Sequence, residues 1–396
     1  MNFKKQNNCP ICKKKISSKK NLVYFKQLPL TEILTKSLSV KKKVNFDQIL
    51  KFCKKCNHLF LDKVYNPEKI YNNSYTNSSH SFSNIYAQNF FFNFIEKYIN
   101  GAKKKIIEIG SNDLYLMSLF KKRLDKSIAI DPCVRKNKNL KNIKYIKKFI
   151  SEVRKEEIDF TADMVLCSHT LEHIDNPVDF IKDLDKFGKN KTQFFFQFPS
   201  SESIINRKCF DQIHHQHLNY FSINSFQKVL EQNGYTVIDY SINEHHYGAL
   251  MIYFEKNKKG IKKKNTNVSN IDSNFSLRES YLDFKKYLKN IENIVQNYKN
   301  QNIKIYAVGA GLMLPIINYH LDNLFSKIDG ILDDDKSKVG KYFPNVKNKI
   351  MSLKNTNISN TVVIVAPVAS SITTRKLISL VDKRNPKIII VPTLSF

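Results

Sequence analysis

The segment FDQIHHQHLNYFS, residues 210–222, places three of the ten histidines of this 396-residue chain within four positions. They are His214, His215 and His217, with Gln216 between the last two. An imidazole titrates near pH 7. In its neutral form it can take a proton from a substrate, while a second imidazole stabilises the negative charge that develops on a substrate oxygen. Successive side chains diverge along an extended segment, so we expect at most two of these rings to face one ligand. A surface loop, indirect hydrogen bonding and a partial metal site remain alternatives at this point.

Four of the seven cysteines form two C-x2-C pairs, Cys9 with Cys12 and Cys53 with Cys56. Two intervening residues let one tight turn aim both thiolates at a tetrahedral ion, and a second such turn completes a closed four-sulfur site. Disulfide pairing is the alternative, which a reducing cytoplasm disfavours. The spacing therefore predicts a structural Zn²⁺ site, with the residues between the two pairs inserted as an excursion.

A third group of polar residues follows a predicted strand in the segment IIEIGSNDLYL. It contains Glu108, Gly110 and Asn112, and Asp131 ends the next predicted strand. In open α/β sheets, ligands bind in the crevice beyond the carboxyl ends of the strands. Gly110 lets the backbone pass close to a ligand, and Asp131 is placed to bind two ribose hydroxyls.

The elements that must position these residues alternate between strands and helices from residue 103 onward. Strands are predicted at KKKIIEIG, SIAIDP, ADMVLCSH, TQFFFQFP, YTVIDYSI and GALMIYFEK. Helices are predicted at DLYLMSLFKKRL, NPVDFIKDLDKF and SINSFQKVLEQNG, the last of them started by Ser222. This alternation predicts a parallel α/β fold. A highly polar stretch predicts a linker, and the strands and glycine turn beyond it predict a second α/β unit. The predicted divisions are a zinc-binding domain at 1–70, a central domain at 71–255, a linker at 256–275 and a carboxy-terminal domain at 276–396.

The composition limits the partners. The formal charge is +30, but the lysines are scattered along the chain rather than gathered in a stripe, and no RNA-binding motif is visible. We therefore predict no specific nucleic-acid partner, although a basic surface favours a phosphorylated small substrate. No apolar run is long enough to cross a membrane or to act as a secretory signal. The sequence thus predicts no membrane insertion and a cytoplasmic protein, either monomer or dimer.

Several motifs occur in an order that resembles a known family. The paired cysteine turns are followed by YTNSSHSFS, EIGSND, LEHIDNP, FDQIHHQHLNYFS and GAG…DDDKSKVGKYFP. Together they resemble the three-domain S-adenosylmethionine-dependent sugar C-methyltransferases, which modify deoxysugars attached to nucleotides. The resemblance implies a class I methyltransferase Rossmann-like core between an amino-terminal zinc domain and a carboxy-terminal Rossmann-like α/β domain. A nucleotide-linked sugar, used in polysaccharide assembly, would be held between these domains.

The resemblance also implies roles for individual residues. His217 would be the general base, with His214 and Gln216 beside it, while Tyr75 and His80 would contribute from the edge of the zinc domain. The methyl donor would be held by Glu108, Gly110, Asn112, Asp131, Thr170, Leu171 and His173, with Glu172 in the same pocket wall. Cys9, Cys12, Cys53 and Cys56 would hold the zinc.

Several positions depart from the family pattern. One lies in the donor loop, where Leu114 stands for the last glycine, and the others concern the acceptor. The family loop reads approximately Tyr-His-Glu-His, so His214 replaces a tyrosine and Gln216 replaces a carboxylate. The segment YGALM stands for the family's GGSLR, and Leu312 and Met313 stand where a lysine is expected. Two alternatives therefore accompany C-methylation: transfer to oxygen of a related sugar or nucleotide-linked acceptor, and a degenerate fold that only binds sugar nucleotides or an anionic polymer.

Overall fold

A computed structural model describes residues 3–31, 33–38, 44–66, 81–137, 140–188, 191–257, 275–367 and 371–392. These residues form β-sheets of two, four, seven and five strands. Among the helices in these ranges, none has both the length and the apolar character needed to cross a membrane.

The amino-terminal part is built from short strands: β1 (Phe3–Lys5), β2 (Leu22–Pro29), β3 (Asn45–Cys53), β4 (His58–Leu61) and β5 (Lys63–Tyr65). β2, β3 and β4 form an antiparallel ladder, and β1 pairs with β5. Between β3 and β4 the chain turns at the second cysteine pair, where the Cys56 amide donates to the Cys53 carbonyl at 3.1 Å. The cysteine turn is therefore the hairpin connection of this sheet.

The central sheet has seven strands: β6 (Lys104–Ile109), β7 (Leu124–Ile130), β8 (Ile143–Ile146), β9 (Met164–Ser168), β10 (Gln193–Phe198), β12 (Tyr235–Asn243) and β13 (Ala249–Lys256). Numbered one to seven along the chain, they lie in the order 3-2-1-4-5-7-6. β13 is antiparallel to both neighbours, while the other neighbouring pairs are parallel. The order reverses between β6 and β9, the position at which open α/β sheets bind ligands.

In the described residues, the central part contains the helices α1 (Phe82–Glu96), α2 (Tyr115–Leu119), α3 (Pro177–Asp183), α4 (Ser201–Asn206) and α5 (Ile223–Gln232). α5 begins as the sequence predicts, because the Ser222 side chain accepts from the Ser225 amide at 2.9 Å. The predicted helix after β6 is shorter than expected. It ends at Leu119, and the next residue, Phe120, packs its ring on Phe92 with centroids 4.8 Å apart.

The histidine segment, residues 210–222, joins two sheets. Its strand β11 (Asn219–Tyr220) pairs antiparallel with β4. The side chain of Asn219 accepts a hydrogen bond from His58 at 2.9 Å and donates one to the Ile174 carbonyl at 2.5 Å. The segment is therefore the fourth strand of the cysteine-containing sheet as well as an excursion of the central domain.

The carboxy-terminal part contains a parallel sheet and three helices: α6 (Leu277–Asn300), β14 (Ile305–Val308), α7 (Leu314–His320), β15 (Gly330–Asp333), β16 (Ile350–Ser352), β17 (Val362–Val365), α8 (Ser371–Asp382) and β18 (Ile388–Ile390). The five strands, numbered along the chain, lie in the order 3-2-1-4-5, which is a doubly wound arrangement. One apolar cluster joins Phe25 of β2, Phe210 of the histidine segment and Phe284 of α6. The amino- and carboxy-terminal sheets are therefore packed against the same segment.

The strand predictions at KKKIIEIG, SIAIDP, ADMVLCSH, TQFFFQFP, YTVIDYSI and GALMIYFEK are confirmed. β8 and α1 were not predicted. β8 is a partly exposed strand of four residues at the sheet edge, and α1 carries aromatic residues without a clear polar face. Most of the predicted linker lies outside the described residues, and the boundaries between the four divisions remain predictions.

Candidate active site

The carboxyl ends of β6, β7 and β9 open into a cavity of about 1910 Å³, here called the central cavity. Its walls come from the central sheet, the histidine segment and the carboxy-terminal sheet. The residues that line these walls include Gly110, Asn112, Asp131, Ser168, His169, Thr170, His173, His214, Gln216, His217, His246, Tyr247, Gly309, Asp333 and Lys338. A drug-sized ligand usually occupies about 300–1,000 Å³, so this space is large enough for a donor and an acceptor together.

The turn after β6 forms one end of the cavity. Gly110 has φ of +71°, and a Cβ at this position would lie 1.7 Å from Oγ1 of Thr170. Its amide donates to the Ile130 carbonyl at 2.8 Å, which ties the turn to the end of β7. Only glycine allows this close approach between the β6 turn and the segment that follows β9.

Asp131 connects the same turn to β7. Its carboxylate accepts from the Asn112 amide at 3.0 Å and from the Cys133 amide at 2.6 Å. Burial raises the pKa of Asp131 above its usual value, while these two amides oppose that shift. Each carboxylate oxygen keeps further acceptor capacity, so the geometry fits a ligand that offers hydroxyl groups, such as a ribose.

Two of the predicted donor-binding residues lie behind this wall rather than on it. Glu108 is 3% exposed, and Leu171 is 1% exposed within an apolar cluster; neither lines the central cavity. Burial raises the pKa of Glu108 well above its usual range, although the Met117 amide donates to it. Glu108 is therefore placed behind the cavity wall, where it can support the turn after β6.

The segment after β9 brings the polar side chains of His169, Thr170 and His173 to the cavity. His169 has φ of 52°, and its Nδ1 forms a 3.0 Å hydrogen bond with Oε1 of Glu172. The Nδ1 of His173 donates to the Gln216 carbonyl at 2.9 Å. This bond joins the segment after β9 to the histidine segment, although His173 and Gln216 lie 43 positions apart in the sequence.

The three histidines of the histidine segment point in different directions. His214 and His217 line the cavity with ring centroids 3.9 Å apart. His215 turns away: its Nε2 donates to the Leu28 carbonyl at 3.0 Å, and its ring meets the edge of Tyr65. The histidine segment thus supplies two imidazoles to the cavity and uses the third to hold the amino-terminal sheet.

Burial controls the charge of this cluster. It lowers the pKa of His214 to about 3 and that of His217 well below the usual value, and neighbouring imidazoles add to the shift at His217. Burial also raises the pKa of Glu172 to about 7. The imidazoles are therefore neutral at pH 7, which is the form that can accept a proton.

Thr31 of the amino-terminal part was not identified from the sequence. Its hydroxyl donates to Oε1 of Gln216 at 2.9 Å, and the same oxygen accepts from Nδ1 of His214 at 2.8 Å. The two donors fix the orientation of the amide and leave Nε2 of His214 as the acceptor nitrogen. Thr31 lies 185 positions before Gln216, and no local sequence pattern marks a threonine so far from the histidine segment.

Replacing Thr31 by valine tests this orientation. The change keeps the shape of the side chain and removes one buried hydrogen bond, worth about 0.5–1.5 kcal/mol. We expect kcat for methyl transfer to fall about 3- to 10-fold, as that energy implies. Thr31→Ser keeps the hydroxyl and should retain activity, so equal losses in both variants would contradict the assigned role.

His246 was also missed, although the adjacent His245 and His246 were a visible signal. Its ring lies 4.0 Å, centroid to centroid, from that of His169, and it lines the cavity beside Tyr247. Tyr247 begins the YGALM segment that departs from the family pattern. Tyr75 and His80, the predicted contributors from the edge of the zinc domain, lie outside the described residues.

The four paired cysteines meet at one place. One sulfur from each of Cys9, Cys12, Cys53 and Cys56 lies within 4.8 Å of the others, and all are free thiols. Four thiolates at this spacing fit a tetrahedral Zn²⁺ ion. The site lies beside β4, the strand that pairs with the histidine segment.

The carboxy-terminal sheet contributes a second glycine turn to the cavity. The Gly309 amide donates to the Leu332 carbonyl at 2.8 Å, and the Ala310 amide donates to the Asp333 carboxylate at 2.8 Å. The turn at Gly110 makes the same two kinds of bond. Two strand-end crevices of similar construction therefore face one cavity.

Comparisons with known proteins identify the central part. Residues 84–240 match the family model described as a methyltransferase domain. The C-methyltransferase NovU of Streptomyces niveus is 24% identical over 155 residues, which are 37% of this chain and 36% of that protein. The chain thus matches little more than a third of the length of this curated relative.

Similar solved structures include a 1,6-didemethyltoxoflavin-N1-methyltransferase of Burkholderia thailandensis with bound S-adenosylhomocysteine. It shows 12% identity and a TM-score of 0.35, and the match covers 46% of this chain and 80% of that one. The magnesium protoporphyrin IX methyltransferase of Synechocystis PCC 6803 shows 10% identity and a TM-score of 0.34. This match covers 46% of this chain and 88% of that one.

The family match and the strand order 3-2-1-4-5-7-6 agree. The central part has the class I methyltransferase Rossmann-like α/β fold. Residues 84–240 are accordingly an S-adenosylmethionine-dependent methyltransferase domain.

Proposed function

We propose that this chain transfers a methyl group from S-adenosylmethionine to a carbon atom of a nucleotide-linked keto-deoxysugar. The observation that carries the proposal is the shared cavity. Gly110 and Asp131 line its donor end, and His214 and His217 line the wall contributed by the histidine segment. One cavity can therefore bring a methyl donor and a proton acceptor to the same substrate.

The donor end has the features that the adenosyl part of S-adenosylmethionine needs. The Gly110 turn brings the backbone close, and Asp131 offers a partly buried carboxylate to the two ribose hydroxyls. Thr170 and His173 line the same cavity, in keeping with the roles that the resemblance implies for them.

The histidine wall supplies the acid–base chemistry. A carbon next to a keto group becomes nucleophilic when a base removes its proton while a second group stabilises the enolate oxygen. The new bond joins this carbon to the methyl group, the sulfur–methyl bond breaks, and the proton goes to an imidazole. The family resemblance points to His217 as that base, whereas the fixed tautomer makes His214 the better oriented one.

The carboxy-terminal part supports a nucleotide-linked substrate, and we propose that it is a Rossmann-like domain. Asp333 ends its second strand beside the Gly309 turn, and Lys338 lies 3.4 Å from the Asp333 carboxylate. An acidic side chain for a ribose and a lysine for a phosphate suit a nucleotide end group. The name of the matched relative, a C-methyltransferase, supports carbon as the acceptor.

Oxygen of a related sugar is the second candidate acceptor. Gln216 replaces the family carboxylate, and it cannot raise the basicity of its neighbour His214 through charge. A hydroxyl acceptor held in line with the donor requires less proton abstraction before transfer than a carbon acceptor does. The position of the new methyl group in the product distinguishes the two reactions.

Product analysis tests the proposed function. We expect the purified chain, given S-adenosylmethionine and a keto-deoxysugar nucleotide, to form a product heavier by one methylene group, detected by mass spectrometry. Asp131→Ala should weaken donor binding about 10-fold or more, because it removes a charge-assisted pair of hydrogen bonds. Asp125→Ala is the matched control, because Asp125 lies exposed near the start of β7, the strand that Asp131 follows.

Two results would contradict this proposal in different ways. Donor binding without transfer to any keto-deoxysugar nucleotide would indicate another acceptor. Calorimetry that detects no heat on addition of the donor would instead favour a binding protein that has lost catalysis.

A further inference from the structure

We propose that Glu172, His173 and His217 bind one divalent transition-metal ion, of the Zn²⁺ class, in the wall of the central cavity. Glu172 and His173 belong to the turn after β9, and His217 belongs to the histidine segment. One ligand atom from each residue lies within 4.8 Å of the other two. This site is separate from the four-cysteine site and uses different donor atoms.

The distances suit a shared ion. Nε2 of His217 lies 3.9 Å from Oε1 of Glu172. Zn²⁺ binds imidazole nitrogen and carboxylate oxygen at about 2.0–2.2 Å, so two of its ligand atoms lie no more than about 4.2 Å apart. The pair therefore needs little movement to bind a common ion.

An unsatisfied polar atom forms the second, independent observation. Glu172 is 0% exposed, yet its Oε2 has no hydrogen-bond partner among the described residues. Leaving a buried polar atom unpaired destabilises the folded chain, and most strongly when the group is charged. A cation beside Glu172 would offset that cost.

One hydrogen bond of the cluster has the arrangement found at metal sites. Nδ1 of His173 donates to the Gln216 carbonyl at 2.9 Å, which leaves the lone pair on Nε2. Metal-binding histidines usually donate their second ring nitrogen to a carbonyl or carboxylate in this way. His169 adds an outer hydrogen bond to Oε1 of Glu172 at 3.0 Å.

The types of metal-binding residue indicate what the ion would do. Two histidines and one carboxylate form a three-ligand site with open positions, as catalytic rather than structural metal sites do. His173 and His217 line the cavity, so an open position faces the substrate. In the proposed reaction, on which this role rests, the ion would polarise the keto or hydroxyl oxygen of the acceptor. His217 is then a ligand, and His214 remains as the base.

Cobalt substitution tests the site without donor or acceptor. The purified full-length chain is titrated with Co²⁺, and its visible spectrum is recorded. We expect two signals: a thiolate-to-metal charge-transfer band from the four cysteines, and weaker d–d bands from a nitrogen–oxygen site. Glu172→Gln and His217→Asn should each weaken the second signal on the order of 100-fold in Co²⁺ affinity, and leave the first intact.

His214→Asn is the matched control, because His214 lies in the same wall but outside the ligand set. It should keep both signals. The persistence of the thiolate band and an unchanged melting temperature show that each variant is folded. A nitrogen–oxygen signal that is absent from the parent chain, or unaffected by Glu172→Gln, would overturn the metal proposal. Methyl transfer by a chain that binds no such ion would leave the proposed function standing, so the two failures are distinguishable.

Discussion

Gly110→Ala should reduce the affinity for S-adenosylmethionine on the order of 100-fold, measured by calorimetry with the purified chain. The new Cβ would lie 1.7 Å from Oγ1 of Thr170 and 2.8 Å from its Cβ, so the turn after β6 and the segment after β9 must separate. The positive φ of 71° adds a backbone cost of about 1–2 kcal/mol for a residue with a side chain. Both effects act at the donor end of the cavity.

A glycine substitution elsewhere provides the control. A Cβ at Gly101 would meet nothing within 4 Å, so Gly101→Ala should bind the donor as the parent chain does. Thermal unfolding of both variants separates loss of the crevice from loss of the fold. A Gly110→Ala variant with full donor affinity would show that the donor binds away from the carboxyl end of β6.

Removal of the predicted zinc site should have the second large effect. Cys53 ends β3, and the turn that follows it leads into β4, the partner of β11 in the histidine segment. Structural zinc sites contribute about 10–16 kcal/mol of apparent binding energy, comparable to the whole stability of a domain. We therefore expect Cys53→Ser to lose one equivalent of zinc and to unfold the amino-terminal sheet.

The consequence extends to the active site. Without β4, Asn219 loses its bond from His58, and the histidine segment loses its strand partner. Hydrogen exchange across residues 210–222 should accelerate on the order of 100-fold or more, and methyl transfer should fall with it. Hydrogen exchange followed by mass spectrometry measures the first effect, and metal analysis measures the zinc content.

Cys209→Ser is the matched control for this experiment. Its sulfur donates to the Arg207 carbonyl, and a serine hydroxyl can make the same bond. The control should retain both the zinc and the slow exchange. A Cys53→Ser chain that keeps its zinc and its amino-terminal sheet would contradict a structural role for the four thiolates.

The two effects illustrate how the cavity is assembled. The central sheet supplies the proposed donor end, through Gly110 and Asp131. The acceptor wall depends on contacts between separate parts of the chain, because Gln216 bonds to both Thr31 and His214. Changes in the amino-terminal part are therefore expected to affect turnover more than donor binding.

Local features of this protein could be predicted from the sequence. The strands around KKKIIEIG and ADMVLCSH, the helix start at Ser222 and the C-x2-C turns depend on residues within a few positions of one another. A short apolar run, a capping serine and a paired cysteine turn each have a short-range physical cause. The Gly110 turn and Asp131 were likewise recognisable, because strand ends are where α/β sheets bind ligands.

Only the tertiary structure decided which side chains share the cavity. It turned His215 toward Leu28, brought Thr31 to Gln216, and placed His246 against His169. It also placed Glu108 and Leu171 behind the cavity wall. These outcomes depend on packing between segments far apart in sequence. The direction of a side chain there is set by its partners across the fold, which leave no periodic signal in the residues around it.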